Sequence, residues 1–313
     1  MGASLHSSMT TTALSSSSAA RSAALSEALG EGGGDVLGEA LVAREHSLLA
    51  WCRAQGSILV GFSGGVDSAY LACVVREALG PERTLAVIGR SASYPAVQWE
   101  TARRVADAFG IPVLEVDTDE LADPRYAANP TNRCYFCKSE LWSRLLPVAQ
   151  AQGFAVIVDG TNADDLHEHR PGAQAAREAE VQSPLAALGF TKADIRALSK
   201  ARGLPTWAQP SSPCLSSRLP YGTAVTPERL QLVERAEAGI RALGVVGDLR
   251  VRYFGEKATI EIARAELPAW SDGEPRARLE AAVRAAGFTV VELDPRGFRS
   301  GALNVLAGIP ESA

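Results

Sequence analysis

The chain of 313 residues has no apolar run long enough to cross a bilayer as a helix, which excludes a helical membrane protein. Cysteine is scarce. Five residues at uneven spacing do not make a disulfide framework, so a reducing, cytoplasmic setting with free thiol chemistry is expected. Positive charge is not in excess: 31 Lys and Arg stand against 36 Asp and Glu, a net charge of −5, which argues against an extended nucleic-acid surface. The N-terminus lacks the order of a secretory signal, a charged stretch followed by a sustained apolar one. Met1-Gly2 with Ser7 is a poor myristoylation match. Residues 1–34, rich in Ser, Ala and Gly, read as a disordered tail. No internal repeat is visible. What the chain does have is 46% hydrophobic residues and length enough for two domains, each with its own core.

The rest of the chain is organised around Ile58-Leu59-Val60-Gly61-Phe62-Ser63-Gly64-Gly65-Val66-Asp67-Ser68. Ile58 to Val60 is apolar and short, as a buried strand is. Glycines then break the run, and residues 69–75 continue as a helix. A strand, a glycine turn and a helix N-terminus together aim backbone N–H groups and partial positive charge at an anion. Gly64 and Gly65 let the backbone approach a phosphate closely. Ser63 and Ser68 add hydroxyls, and Asp67 can fix the loop or hold Mg²⁺. No Gly-Lys-Ser/Thr follows, so this is not a Walker loop.

Further strands are expected at 84–89, 113–116 and 154–158, with a helix at 97–109. Strands alternating with helices predict a parallel sheet with right-handed crossovers, and ligands at the carboxyl ends of its strands. By position, Ser91 after the second strand and Gly160, Thr161, Asn162 and Asp165 after the fourth are nucleotide candidates. His167 and His169, two apart on a loop, make a weak metal pair. Cys134 and Cys137 form a Cys-x-x-Cys at the start of a helix that runs from Glu140 to Gln150. The helix dipole there favours thiolate, and the residues alone allow zinc, an iron–sulfur cluster or a redox disulfide. A helix from Thr191 to Arg202 opens on a near capping box, Thr191 with Asp194. Residues 208–222 are a Pro- and Ser-rich connector carrying Cys214 close to Arg218, whereas Cys52 and Cys73 read as small buried residues. The C-terminal part offers helices at 227–243 and 276–286 and strands at 249–254, 259–262 and 289–293. Arg250 and Arg252 alternate on one of those strands and so share a face.

Ser63-Gly-Gly-Val-Asp-Ser68 resembles the pyrophosphate loop of the PP-loop ATPases, which cleave ATP between the α- and β-phosphates. Five further motifs stand beside it: Asn132-Arg-Cys-Tyr-Phe-Cys-Lys138, Asp159-Gly-Thr-Asn-Ala-Asp-Asp165 with Arg170-Pro-Gly172, Pro213-Cys-Leu-Ser-Ser-Arg218, Leu249-Arg-Val-Arg-Tyr253 and Asp294-Pro-Arg-Gly-Phe-Arg-Ser-Gly301. In this order they make the chain, from about residue 36 onward, similar to LarE-type ATP-dependent sulfur transferases. The resemblance implies an α/β fold: a parallel-sheet PP-loop (adenine nucleotide alpha hydrolase-like) domain over 35–205, then a smaller α+β domain for substrate and catalysis over 206–313. It implies ATP and Mg²⁺, and a small nucleotide substrate, pyridinium-3,5-biscarboxylic acid mononucleotide. A carboxylate of that substrate is adenylated and converted to a thiocarboxylate. It also implies a homo-oligomer, with no nucleic-acid or membrane partner. Arg218, Arg250 and Arg252 would meet the substrate's anions.

Relatives of this type obtain sulfur in two ways. One sacrifices a single cysteine. The other holds a [4Fe–4S] cluster on three cysteines, leaving one iron open to carry sulfide. Cys134, Cys137 and Cys214 occupy the three positions, which favours the cluster, with zinc on the same thiols as the rival. Phe254 departs from the His found there in many relatives and leaves a metal or phosphate contact at that place in question. A tRNA thiolase of the same superfamily would call for a basic face and an RNA-binding module. An amidating synthetase would not need the three cysteines, and a catalytically dead scaffold does not fit an intact loop.

Overall fold

The computed structural model describes residues 38–167 and 171–308, the side chains of His167 and Leu306 excepted. The tail expected over 1–34, the proposed partner His169 and the motif residue Arg170 lie outside the described residues.

Helix α1 (Glu39–Gln55) leads into β1 (Ile58–Gly61), then α2 (Val66–Leu79), β2 (Thr84–Arg90), α3 (Ala96–Phe109), β3 (Val113–Asp117), α4 (Arg133–Gln152) and β4 (Val156–Val158). The four strands are parallel, in the order β3-β2-β1-β4. Both faces are covered, so the strands are apolar on both sides. Ile58, Val60, Ala86, Ile88 and Val158 enter one core with α1, α2 and Phe190. Leu59, Val87 and Ile157 enter the other, against Trp142 and Leu145 of α4. The chain first winds outward from β1 to β2 and β3, then returns to β4 on the other side of β1. That reversal puts a crevice at the carboxyl end of β1, where the glycine loop begins.

Two local differences from the sequence reading matter for the site. Helix α4 begins at Arg133, not Glu140, so Cys134 and Cys137 are inside it. Past the loop expected around His167, Pro171-Gly172 opens a helix the sequence reading did not expect, α5 (Pro171–Glu178). Proline there begins a helix because its missing N–H is one of the unsatisfied ones in any case. Helix α6 (Lys192–Ala201) has the expected capping box, with Thr191 and Asp194 each accepting the other's backbone N–H.

After the connector come α7 (Pro227–Ala242), β5 (Leu249–Phe254), β6 (Lys257–Ile262), α8 (Gly273–Ala286) and β7 (Val290–Leu293). β5 and β6 are antiparallel across a Gly255-Glu256 turn, in which Gly255 adopts φ 72°; β7 pairs parallel to β6. Leu230, Val233 and Ile240 of α7 pack with Val251, Ile260, Leu279 and Val283 in a second core. Tyr126, from the first half of the chain, is buried in that second core, and Phe136 and Cys137 pack against it. Residues on both sides of the expected boundary near 205 therefore build one contact region, and Cys137 stands on it.

Candidate active site

The glycine loop is held shut by its own side chains. Phe62 N–H donates to the Val87 carbonyl at 2.8 Å, fixing the end of β1. Gly64 then turns with φ 69°, and a Cβ there would stand 2.6 Å from Cβ of Ala102, so both backbone and packing demand glycine. Gly65 is different: a Cβ would find Ser63 Oγ at an ordinary 3.6 Å. Ser63 Oγ and Ser68 Oγ are 3.1 Å apart, and Ser63 N–H donates to Ser68 Oγ at 3.3 Å. From outside, Tyr94 Oη and Gln98 Nε2 both donate to the Ser63 carbonyl, at 3.0 and 3.1 Å. Helix α2 has no side-chain cap, whereas α6 and α7 are capped by Thr191 and Thr226. Uncapped first-turn N–H groups behind a glycine turn are suited to an anion. Asp67 Oδ2 is ion-paired with Lys192 Nζ, while Asp67 Oδ1 is buried with no hydrogen-bond partner.

The end of β4 lies directly on this loop. A Cβ at Gly160 would be 2.9 Å from the Ser68 nitrogen. Thr161 donates to Asp159 through its N–H at 3.1 Å and its hydroxyl at 2.9 Å, and Ser183 donates to the same carboxylate at 2.7 Å. Asn162 Oδ1 accepts the Asp164 and Asp165 N–H groups at 3.0 and 3.3 Å, and Asp165 Oδ2 accepts the Asn162 N–H at 3.1 Å. Thr161, Asn162 and Asp165 thus shape the loop with their polar atoms. Ser91, at the carboxyl end of β2, has its hydroxyl 3.0 Å from that of Ser93, which donates to the buried Glu120 at 2.6 Å.

The connector carrying Cys214 is tied to this nucleotide edge. Leu215 N–H donates to the Ser93 carbonyl at 2.8 Å. Gln98, one of the braces of Ser63, accepts from Gln209 Nε2 at 2.8 Å. The three arginines expected to meet substrate differ sharply in their surroundings. Arg218 is 2% exposed. It forks onto Glu237 at 2.8 and 2.9 Å and donates to the carbonyls of Pro213 and Cys214 at 2.7 and 3.1 Å. Burial works against the Glu237 charge, but Arg218 prevails and holds its carboxyl below the usual range. Arg252 forks onto a single oxygen of Glu261 and donates to the Ser217 carbonyl at 3.0 Å. Arg250 is 3% exposed, donates to the carbonyls of Leu249 and Ser211 at 2.6 and 2.7 Å, and lies over Phe298 with 4.8 Å to the ring centroid. No carboxylate among the described residues makes a salt bridge with it. Burial, aided by the neighbouring Arg218, pushes its pKa down to about 9.

Arg250 and Arg252 line a cleft of about 180 Å³ together with Arg133, Ser217, Tyr221 and Phe298. Arg218 does not line it; its guanidinium points into the segment that carries Cys214. Arg133 carried no role in the sequence reading. Its signal was its place inside the cysteine motif, but only the fold shows that it is buried in this cleft.

Cys134 is exposed, and Cys137 and Cys214 are partly buried. They are neighbours: the charges of Cys214 and Cys134 both act on Cys137 and on Arg133. Burial, with Glu120 next in weight, pushes the Cys137 thiol well above its usual range. Burial also pushes Cys52 and Cys73 up to about 12, in keeping with inert core residues. Among the described residues, no three His, Cys, Asp or Glu side chains converge closely enough to hold one metal ion. A single zinc ion would draw three sulfurs to about 2.3 Å from one point. Three cysteine thiols are the donor chemistry that a [4Fe–4S] cluster would take. For Mg²⁺ the unpartnered Asp67 Oδ1 is a fitting donor, since that ion commonly takes one or two carboxylates beside substrate phosphates.

A strand-loop-helix phosphate cradle at the reversal of a parallel sheet defines a nucleotide-using enzyme, and a family model described as NAD synthase matches residues 42–162. An uncharacterized protein of Synechocystis sp. is 43% identical over 246 residues, covering 79% of this chain and 91% of that protein. The pyridinium-3,5-bisthiocarboxylic acid mononucleotide synthase of Lactiplantibacillus plantarum is 32% identical over 264 residues, covering 84% of this chain and 95% of that enzyme. A glutamine-hydrolysing GMP synthase of Phenylobacterium zucineum is 26% identical over 58% of this chain and 39% of its own. The chain belongs to the LarE family of PP-loop, ATP-dependent sulfur transferases. No described helix is long and apolar enough to cross a membrane.

Proposed function

We propose that this sulfur transferase acts in assembling the nickel-pincer nucleotide cofactor, by converting pyridinium-3,5-biscarboxylic acid mononucleotide to its thiocarboxylate forms. The observation that carries the reading is Arg250, a buried cation without a carboxylate partner, in a cleft beside the Cys214 segment. A buried charge of this kind is costly unless an anion completes it. The loop from Ser63 to Ser68 would hold the pyrophosphate of ATP, with Asp67 on Mg²⁺. A substrate carboxylate oxygen attacks the α-phosphorus and pyrophosphate leaves. Sulfur arriving from the Cys134, Cys137 and Cys214 side then attacks the acyl carbon, and AMP departs with the carboxylate oxygen. Adenylation is needed because a carboxylate is a poor electrophile until its oxygen can leave. The three cysteines would hold a [4Fe–4S] cluster, which when bound supplies a labile sulfide. Arg250 and Arg252 receive the substrate's phosphate, and Arg218 fixes the carbonyls around Cys214 so that this ligand is held at the sulfur side of the cleft. The same reading sets the enzyme in the cytoplasm as a homo-oligomer, which light scattering on eluted fractions would test.

The direct test uses protein prepared without air, given ATP, Mg²⁺, the biscarboxylate and sulfide. One AMP and one pyrophosphate should appear per oxygen replaced by sulfur, over repeated turnovers, in protein containing iron and acid-labile sulfide. Absence of AMP with this substrate would reject the substrate assignment. A single event that leaves Cys214 lighter by the mass of H₂S would replace the cluster with a sacrificial cysteine.

A further inference from the structure

The cleft contains a second buried cation that the reading above does not use. Arg133 is 5% exposed, lines the cleft, and makes no salt bridge with any described carboxylate. Its Nε is buried without a hydrogen-bond partner. Nη1 donates to Asn129 Oδ1 at 2.7 Å, and the guanidinium lies over Tyr221, 5.1 Å from the ring centroid. A planar cation held flat on one side by a ring and at one corner by an amide leaves the rest of its fork for a flat anion.

The two unpaired arginines stand in different company. Arg133 is next to Cys134 on α4 and lies over Tyr221. Arg250 is on β5, two residues from Arg252, and donates to the Ser211 carbonyl. The cleft therefore has one end next to the cysteine helix and one on the arginine strand, each with one buried cation that no carboxylate salt-bridges among the described residues. The proposed substrate is built to match, with carboxylates on its ring and a phosphate on its ribose. Resting on that reading, we propose that Arg133 binds a carboxylate of the pyridinium ring at the cysteine-helix end, while Arg250 takes the phosphate at the other. Arg133 then does two things: it recognises a dicarboxylate ring against a neutral one, and it holds that ring with a carboxyl carbon turned toward the sulfur.

Two fragments separate the ends. Pyridine-3,5-dicarboxylate carries the carboxylates without a phosphate, and ribose 5-phosphate carries the phosphate without carboxylates. Binding of each to the full chain is measured by calorimetry, beside the thermal midpoint. Arg133→Gln should weaken the dicarboxylate at least tenfold and leave ribose 5-phosphate unchanged. Arg250→Gln should do the reverse. Arg133→Lys, which keeps a cation without the fork, should fall between wild type and Arg133→Gln for the dicarboxylate. Arg133 also supports Asn129, so equal loss of both fragments in Arg133→Gln, or a midpoint that falls with them, would assign it a structural role and overturn the inference. Unchanged dicarboxylate binding in a folded Arg133→Gln protein would overturn it as well. If neither fragment binds the wild-type protein, the reading of the cleft as a substrate site fails first, and this inference fails with it.

Discussion

Arg218→Met is the sharpest test of how the Cys214 segment is held. The substitution keeps much of the side-chain volume but removes every donor that Arg218 gives to Glu237, Pro213 and Cys214. Removing one partner of a buried ion pair costs about 3–5 kcal/mol, because the other charge is left uncompensated. Here the lower end is expected. The Glu237 side chain keeps 15% exposure, and its Oε1 still accepts the Val251 N–H at 3.0 Å. About 3 kcal/mol corresponds to a fall of roughly 10 °C in the unfolding midpoint of a domain of this size. The effect must also depend on pH. In the wild type Glu237 titrates below its usual range, so its pairing contributes stability that is present above the unfolded carboxyl pKa, about 4.3, and is lost as pH falls through the lower folded value. In the variant the unpaired carboxylate titrates above its unfolded value, so the deficit is full at neutral pH and shrinks as pH falls through that raised value. Urea unfolding at neutral and acidic pH measures both. Arg218→Met with Glu237→Met should recover a large part of the loss, since an apolar pair can replace a buried ionic one. A single-variant loss under about 1 kcal/mol, the scale of an exposed pair, or simple additivity in the double variant would refute the reasoning.

Three further outcomes are expected. Gly64→Ala should destabilise the fold, because its Cβ would meet Ala102 at 2.6 Å, whereas Gly65→Ala should leave the melting midpoint within about 1 °C of wild type and still slow pyrophosphate release if phosphates lie against it. Lys192→Met should leave both oxygens of Asp67 without a salt bridge and change the Mg²⁺ dependence of AMP formation; an identical Mg²⁺ titration would detach Asp67 from the metal. In cluster-free protein at about pH 8, iodoacetamide should label Cys134 and leave Cys52 and Cys73 untouched, because their thiols are pushed up to about 12 and are buried; peptide mass mapping checks this.

The elements around the glycine loop were legible because each had a local cause. The apolar run from Ile58 to Val60, the glycines after it and the capping box at Thr191 act through neighbours a few residues away, and periodicity exposes them. The limits of α4 were not legible. Asn132 is the N-cap and of a type favoured there, but its side chain makes no capping hydrogen bond, and the start is supported by packing instead: Phe136 and Cys137 against the second core, and Arg133 against Asn129. Helix α5 was missed for the opposite reason, since proline followed by glycine is punctuation in most contexts and a helix start only in some.

The site shows the same division more strongly. The family resemblance brought Arg218, Arg250 and Arg252 together as equals, because a guanidinium is the same object wherever it stands in a sequence. What distinguishes them is which acid the fold brings to each. Glu237 on α7, 19 residues on, pairs with Arg218, and Glu261 on β6, 9 residues on, pairs with Arg252; sequence spacing does not announce that Arg250 salt-bridges neither. The same accounting raises Arg133, from another half of the chain, to the rank of Arg250. Arg252, paired with Glu261, stands in the wall, and the two arginines without acids leave net positive charge inside a cleft also lined by Ser, Tyr and Phe. Burial makes that charge unfavourable in the empty protein, so a doubly anionic ligand relieves it at both ends, and a singly anionic one leaves one end uncompensated. Selectivity for a ligand with anions at both ends therefore follows from which arginines lack carboxylates, and it should weaken if an acid is supplied: Ser211→Asp, in the cleft wall where the Ser211 carbonyl accepts from Arg250, should lower affinity for the substrate while leaving ATP binding, proposed at the Ser63–Ser68 loop, intact. Equal substrate affinity in a folded Ser211→Asp protein would show that the uncompensated charge is not what the ligand answers.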